Sequence, residues 1–159
     1  ISAMNPCPCG YLGDPHHHCR CTPDKVERYR SRISGPLLDR IDMHVAVQPV
    51  PAKLLTHPDK AETSATVRDR VIAARKIQMQ RQKCCNAELS GGELERYCHF
   101  TDGDKDYLYQ TLSRLNFSAR AYHRILRVAR TIADLSSSLA VERPHLAEAI
   151  SYRSLDRNS

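Results

Sequence analysis

Apolar side chains in the second half of the chain recur at spacings of three and four, which is the period of an α-helix. In the helix that Ser118 would cap, the apolar side carries Tyr122, Ile125 and Ala129, with Ile132 and Ala133 one turn later. The same pattern, with capping residues and breakers, predicts five helices over residues 61–83, 91–98, 104–116, 118–135 and 142–152. Residues 59–159 are therefore predicted to form an all-α domain.

In the preceding residues, 24–50, the apolar side chains recur first with the period of a helix and then with the period of two that is typical of a strand. Val26, Tyr29 and Ile33 share one face of a charged helix predicted over residues 24–33, and a short turn follows over residues 37–40. From Ile41 to Val47, apolar and polar residues alternate, which predicts a half-buried strand. Prolines then end the strand and begin a linker over residues 51–58. Residues 1–50 are predicted to be the end of an α/β domain.

Residues 1–24 contain few aliphatic side chains, so this segment needs something other than a core to hold it. Its cysteines form a C-x-C pair, nine intervening residues and a second C-x-C pair: Cys7, Cys9, Cys19 and Cys21. Four thiolates this close favour a structural, four-coordinate Zn²⁺ site over reduced free thiols. Three neighbouring histidines are interpreted as an exposed loop tip, although they remain alternative ligands: His16, His17 and His18. The remaining cysteines, Cys84, Cys85 and Cys98, lack ligand spacing and are expected to be packing or incidental residues.

Composition narrows the class of protein. The chain has 159 residues, of which 41% are hydrophobic and 26% charged, as in an ordinary globular protein. No run of about 18 apolar residues is present, so no membrane span is expected. The uneven set of seven cysteines without a signal peptide suggests a reducing compartment, and we expect the cytoplasm. The net charge of +6 slightly favours a polyanionic partner.

Three segments together resemble one family. They read MNPCPCG from Met4, SGPLLDRID from Ser34, and SARAYHRIL from Ser118, the last continuing as VARTIADL from Val128. In this order they are similar to the magnesium-chelatase-like AAA+ ATPases of the ComM (YifB) type, and the similarity extends over nearly the whole chain.

That resemblance implies the end of an AAA+ α/β core, with one or two strands and a Cys-rich zinc-binding insert, followed by a helical lid. It also implies a homo-hexameric ATPase that uses ATP and Mg²⁺ and acts on DNA in branch migration during recombination and natural transformation. The chain contains no G-x-x-x-x-G-K-[ST] phosphate-binding loop. We therefore expect it to be one portion of a longer ATPase and to be inactive alone.

The resemblance assigns roles to two residues before the lid. Asn5 matches the sensor-1 residue, whose fixed amide orients the attacking water and the γ-phosphate; the alternative is a simple Asn-Pro turn. Arg40 matches the arginine finger that reaches the ATP site of a neighbouring subunit, a task suited to a permanently charged guanidinium. Its alternative is a local ion pair with Asp39 or Asp42.

In the lid, Arg120 matches the sensor-2 residue that contacts nucleotide. A cation in the first turn of a helix opposes the helix dipole, whereas the free N–H groups and an arginine together attract an anion. The alternative is a solvated arginine near a helix end.

Several basic residues on the predicted 61–83 helix indicate either a solvated face or a surface that contacts DNA phosphates or another subunit: Arg68, Arg70, Arg75, Lys76, Arg81 and Lys83. Two further functions fit the same sequence. One is a chelatase-type or MoxR-type motor that remodels a protein partner, and the other is a freestanding, zinc-stabilised nucleic-acid-binding module.

Overall fold

A computed structural model describes residues 1–50, 61–115 and 117–153 of the chain. Within these ranges the regular structure is helical. We number the α-helices in chain order as α1 (Pro23–Arg30), α2 (Gly35–Leu38), α3 (Ser64–Gln82), α4 (Gly91–Tyr97), α5 (Asp102–Arg114), α6 (Ala119–Leu135) and α7 (Arg143–Ser151). A short 3₁₀ turn, Asn86–Glu88, lies between α3 and α4. The expectation of a mostly α chain with a helical second half is confirmed.

The chain divides into two units. One, the Cys-rich unit, contains residues 1–38 and 46–50, and the other, the helical unit, contains residues 39–45 and the described residues from 61 onward. In the Cys-rich unit, α1 has no fully buried residue, and its predicted face of Val26 and Tyr29, together with Ile33, is half-buried.

Side-chain caps fix where the long helices begin. The Thr63 hydroxyl accepts a hydrogen bond from the Thr66 amide at 3.2 Å, and Thr101 does the same for Asp104 at 3.2 Å. The Ser118 hydroxyl accepts from the Ala121 amide at 3.1 Å. Each cap satisfies an N–H group that has no partner within its own helix, which stabilises the start of the helix by about 1 kcal/mol.

Helix α6 forms the centre of the helical unit. Its buried side chains include Ile125, Leu126 and Ala129, which pack with residues of the surrounding helices. The other core residues from these helices include Leu94, Cys98, Leu108, Val141, Leu146 and Ile150. Burying an aliphatic side chain of this size contributes about 1.5–3 kcal/mol, so each of these residues stabilises the helical unit.

The strand predicted from Ile41 to Val47 is not formed, and the structure contains no strand within the ranges that it describes. A strand needs a neighbouring strand to accept and donate its ladder hydrogen bonds. Within the helical unit, residues 41–44 instead bond to the residues that follow α7: the His44 amide donates to the Tyr152 carbonyl at 2.6 Å. Alternation of apolar and polar residues was therefore an insufficient signal here.

Two further predictions concern the bounds of the long basic helix and of the linker before it. The 61–83 helix begins three residues later than predicted, at Ser64, because Thr63 caps it. The linker predicted over residues 51–58 lies outside the described residues. No helix in the described ranges is long and apolar enough to cross a membrane.

Candidate functional site

The four clustered cysteines converge in the Cys-rich unit. Their sulfur atoms all lie within 4.8 Å of one another, and Cys7 is fully buried: Cys7, Cys9, Cys19 and Cys21. Two turns bring the pairs together, and in each a glycine, Gly10 or Gly13, has a positive φ of 84°. This conformation is costly for residues with a Cβ, so glycine suits both positions.

The sulfur–sulfur distances fit a single tetrahedral ion. The Cys7 Sγ lies 3.4 Å from that of Cys9 and 3.7 Å from that of Cys19, and the Cys9 and Cys19 sulfurs are 3.6 Å apart. Four thiolates at about 2.3 Å from Zn²⁺ would be separated by about 3.8 Å. The cluster is therefore able to bind a metal such as zinc, which would cross-link a segment that has little core of its own.

The surroundings of Cys9 favour its thiolate. Backbone N–H groups of Tyr11 and Arg20 donate to its sulfur and lower the pKa of the thiol to about 6. The thiolate is the form that binds metals, so this environment favours Cys9 as a ligand. At Cys19, by contrast, a backbone hydrogen bond favours the thiolate, but burial and the hydrogen bonds with Cys9 and Cys7 outweigh it and raise the pKa of the thiol to about 11.

The three histidines lie beside the cluster rather than in it. The Asp14 carboxylate accepts hydrogen bonds from the backbone amides of His16 and His17, at 2.7 and 3.0 Å, which lowers the pKa of Asp14. Its other oxygen lies 3.3 Å from Nδ1 of His17, whose ring stacks on Tyr11. Within the described residues, the group able to hold a metal consists of cysteines alone.

Asn5 lies exposed in the same unit, two residues before Cys7. Its amide nitrogen is close to Gly10, where an added Cβ would lie 4.0 Å from it. The strand end expected at this point is not formed in the described chain. The sensor-1 role of Asn5 stays a prediction.

Arg120 lies in the helical unit, exposed on the first turn of α6 and two residues after the Ser118 cap. Within the described part of the chain, its guanidinium has no hydrogen-bond or ion-pair partner. Its neighbours Arg124 and Arg127 behave differently. Arg124 pairs with Asp42, and Arg127 donates to the backbone carbonyls of Asn86 and Leu89. Of these three arginines, Arg120 is thus the one whose guanidinium is available to an added anion.

Arg40 is exposed and belongs to the helical unit through residues 39–45. The two acidic residues that flank it contact α6. Oxygens of Asp39 lie 3.4 and 3.5 Å from the Ser118 hydroxyl, and Asp42 forms an ion pair with Arg124. Through these contacts, the short segment with Arg40 lies against the start of the helix that carries Arg120.

A buried ionic network was missed by the sequence reasoning. Asp134 is buried and accepts hydrogen bonds from Arg81 at 2.6 and 2.9 Å, from Asn86 at 2.8 Å and from Arg130 at 3.1 Å. Burial opposes ionisation of Asp134, but the Arg81 and Asn86 hydrogen bonds and both guanidinium charges hold its pKa below the ordinary range. The available signal was the spacing of Arg130 and Asp134, four residues apart on a helix and next to apolar positions.

The basic residues of α3 and its C-cap Lys83 divide into three groups. Arg81 is turned toward α6 by its ion pair with Asp134, whereas Arg70 pairs with Glu62 at 2.8 Å on the surface. The other basic residues of this set are exposed: Arg68, Arg75, Lys76 and Lys83. The expected packing role of Cys98 is confirmed, because it is buried in the core, where burial raises its pKa to about 11.

Comparison with known proteins shows which protein family the chain is similar to. The family described as "Magnesium chelatase, subunit ChlI C-terminal" matches residues 61–153, and the family described as "Magnesium chelatase, subunit ChlI" matches residues 1–55. The chain is 48% identical to YifB of Salmonella typhimurium and 45% identical to competence protein ComM of Haemophilus influenzae, each over 158 residues. It is 44% identical to YifB of Escherichia coli. These alignments cover 99% of this chain and 31% of each relative, so the chain spans about a third of the length of these relatives.

Proposed function

The chain belongs to the magnesium chelatase ChlI family, as a ComM/YifB-type protein, and from this premise we propose that it is the sensor and lid portion of a hexameric AAA+ ATPase acting on DNA. The phosphate-binding loop and the Mg²⁺ ligands would come from the part of the parent protein that lies outside this chain. The relatives are about three times as long, which leaves room for that part.

The observation that carries the proposal is the state of Arg120. An exposed guanidinium on the first turn of α6, beside N–H groups at the helix start, is a combination that suits a phosphate group. Asn5 and Arg40 would contribute the other two contacts, Asn5 by orienting water and Arg40 by reaching the ATP of the neighbouring subunit of a homo-hexamer. In this proposal the chain reads the state of ATP rather than binding it alone.

Two features support DNA as the substrate that the proposed motor moves. A 45% identical relative has the name competence protein ComM, and competence is the state in which a cell takes up DNA. The exposed basic residues of α3 offer salt-sensitive contacts to backbone phosphates, which neutralise a polyanion without reading its sequence. The parent would use ATP hydrolysis to move branched DNA in the cytoplasm, with the cysteine cluster holding a structural zinc ion.

The experiment compares ATP turnover by the full-length protein and its Arg120→Ala variant, with and without branched DNA. We expect the variant to lose turnover by about 100-fold or more, as when one charge-stabilising contact is removed. Arg114→Ala, at an exposed position at the end of α5, is the matched control and should behave as wild type. Normal turnover in Arg120→Ala would refute the sensor-2 assignment.

Two other functions make different predictions. A chelatase-type or MoxR-type motor would hydrolyse ATP without stimulation by DNA and would respond to a protein partner instead. A zinc-stabilised nucleic-acid-binding module would bind DNA through residues 1–159 alone, at micromolar concentration and with strong salt dependence. The motor proposal expects weak binding by this chain and tight binding by the assembled ring.

A further inference from the structure

We propose that Arg124 and Arg153 are positioning residues that fasten the segment Asp39–Val45 to α6, so that Arg40 and Arg120 move as one body. This inference rests on the proposed function, in which Arg40 and Arg120 contact the ATP of adjacent sites. It assigns a task to two arginines that have no part in the proposed phosphate contacts.

Contacts reach the segment on both sides of Arg40. On the side before it, Asp39 lies 3.4 Å from the hydroxyl of Ser118 and 3.8 Å from the guanidinium of Arg153. On the side after it, Arg153 donates a hydrogen bond to the Ile41 carbonyl and Arg124 pairs with Asp42. Consecutive Cα atoms are about 3.8 Å apart, so the backbone of Arg40 lies one residue from a fixed point on either side.

Arg153 is the less adjustable of the two. Its side chain is completely buried, and a buried guanidinium is tolerated only where charges and acceptors surround it. The same turn of chain offers the Tyr152 carbonyl, which accepts the His44 amide hydrogen bond at 2.6 Å. The end of α7 and the start of α6 therefore hold residues 39, 41, 42 and 44 together.

The arrangement has a consequence for a ring of subunits. If Arg120 shifts when ATP binds or is hydrolysed at its own site, α6 shifts with it, and the fastened segment follows. Arg40 would then change its distance from the ATP of the next subunit. A packed helix with several fixed contacts transmits such a displacement because close-packed interiors are not continuously deformable.

The Asp42–Arg124 pair is the best place to test this inference. The Arg124 side chain is 23% exposed and that of Asp42 is 53% exposed, and such surface pairs contribute little to stability. Removing the pair should therefore leave the fold intact while loosening the segment. In the full-length protein we expect Asp42→Ala and Arg124→Ala each to lower the kcat for ATP hydrolysis about tenfold, because small misplacements of a catalytic group are costly. Affinity for a non-hydrolysable ATP analogue should stay unchanged.

A charge swap provides the rescue. The double variant Asp42→Arg with Arg124→Asp restores an ion pair of opposite sense and should recover most of the lost kcat. Hydrogen exchange of residues 39–45 should be faster in both single variants and return toward wild type in the double variant. Lys105→Ala, which breaks the exposed pair with Asp102 at 3.3 Å, is the matched control and should change neither measurement.

ATP turnover of Arg40→Ala is measured in parallel, because this variant distinguishes a failure of the positioning inference from a failure of the proposed function. If Arg40→Ala abolishes turnover while both single variants keep wild-type kcat, the positioning inference is overturned and the proposed function stands. Normal turnover in Arg40→Ala would instead remove the finger assignment, and the inference with it. A loss of kcat that the charge swap does not restore would also contradict the inference, because the pair itself would not be responsible.

Discussion

Replacing Asp134 by alanine should destabilise the helical unit by about 3–5 kcal/mol, which is the usual cost of removing one partner of a buried ion pair. Asp134 accepts four hydrogen bonds from three side chains, at distances from 2.6 to 3.1 Å. Without it, the fully buried Arg130 would keep only carbonyl partners, among them Ser138 at 2.6 Å and Leu139 at 2.9 Å, and would have no counter-charge. The loss therefore exceeds that of the individual hydrogen bonds.

The assay is equilibrium unfolding of the chain in urea, followed by helical circular dichroism. For a domain of about 100 residues, a loss of 3 kcal/mol corresponds to a fall in Tm of about 12 °C or more. Asp102→Ala removes an exposed carboxylate and should change stability by less than about 1 kcal/mol. A loss below about 1 kcal/mol for Asp134→Ala would refute the reasoning, because it would mean that Arg130 does not need its counter-charge.

The same residue predicts a dependence on pH. The pKa of Asp134 is lower in the folded protein than in the unfolded chain, so the folded state favours its ionised form. Its contribution to stability is therefore complete above the unfolded pKa of about 3.9 and is lost as pH falls toward the folded pKa. Asp134→Asn should weaken this acid-dependent loss of stability while lowering stability at neutral pH.

Three further predictions concern other parts of the chain. Metal analysis of the purified chain under reducing conditions should find about one zinc ion per molecule. Replacing any one of the four clustered cysteines by serine should release this ion: Cys7, Cys9, Cys19 and Cys21. A folded chain without metal would contradict the site. Ser118→Ala should destabilise the helical unit by about 1 kcal/mol in urea unfolding, because the Ala121 amide loses its cap, and Ser118→Thr, which keeps a capping hydroxyl, should restore most of this loss. Cys98 should resist alkylation in the native chain near neutral pH and react only after unfolding, because burial raises its pKa to about 11; mass spectrometry that finds it modified before unfolding would contradict its placement.

Helix positions were largely predictable from the sequence, because caps and apolar spacing act locally. Ser118 and the apolar residues of α6 were sufficient to locate that helix, which begins at Ala119 and ends at Leu135 as expected. The strand over residues 41–47 was not predictable in the same way. Strand formation depends on a partner elsewhere, and in this structure the polar groups of Ile41 and His44 bond to Arg153 and Tyr152 instead.

The candidate site was predictable to different degrees. The four cysteines could be recognised because metal ligation depends on residue type and close spacing, and the structure brings their sulfurs together. Arg120 was singled out because its position in the first turn is unfavourable for a cation, and its nucleotide contact stays a prediction. Both Arg130 and Arg153 were missed because an arginine usually indicates solvent, whereas both side chains are fully buried. For Arg153, the counter-charge of Asp39 and a backbone carbonyl come from a distant part of the sequence. For Arg130, the nearby Asp134 was an available signal that was not used.

Helix α6 connects these features because different turns contact different parts of the helical unit. Its first turns carry Arg120 and, through Arg124, hold the segment with Arg40. Its middle is the apolar core, and near its end Asp134 binds Arg81 of α3. A displacement at the start of a closely packed helix cannot be absorbed locally without opening voids in the core. Movement at Arg120 should therefore reach α3 as well, whose exposed basic residues are the candidate contacts to DNA. A single rigid helix is enough to connect the proposed phosphate contact of Arg120, the proposed arginine finger Arg40 and the exposed basic surface of α3.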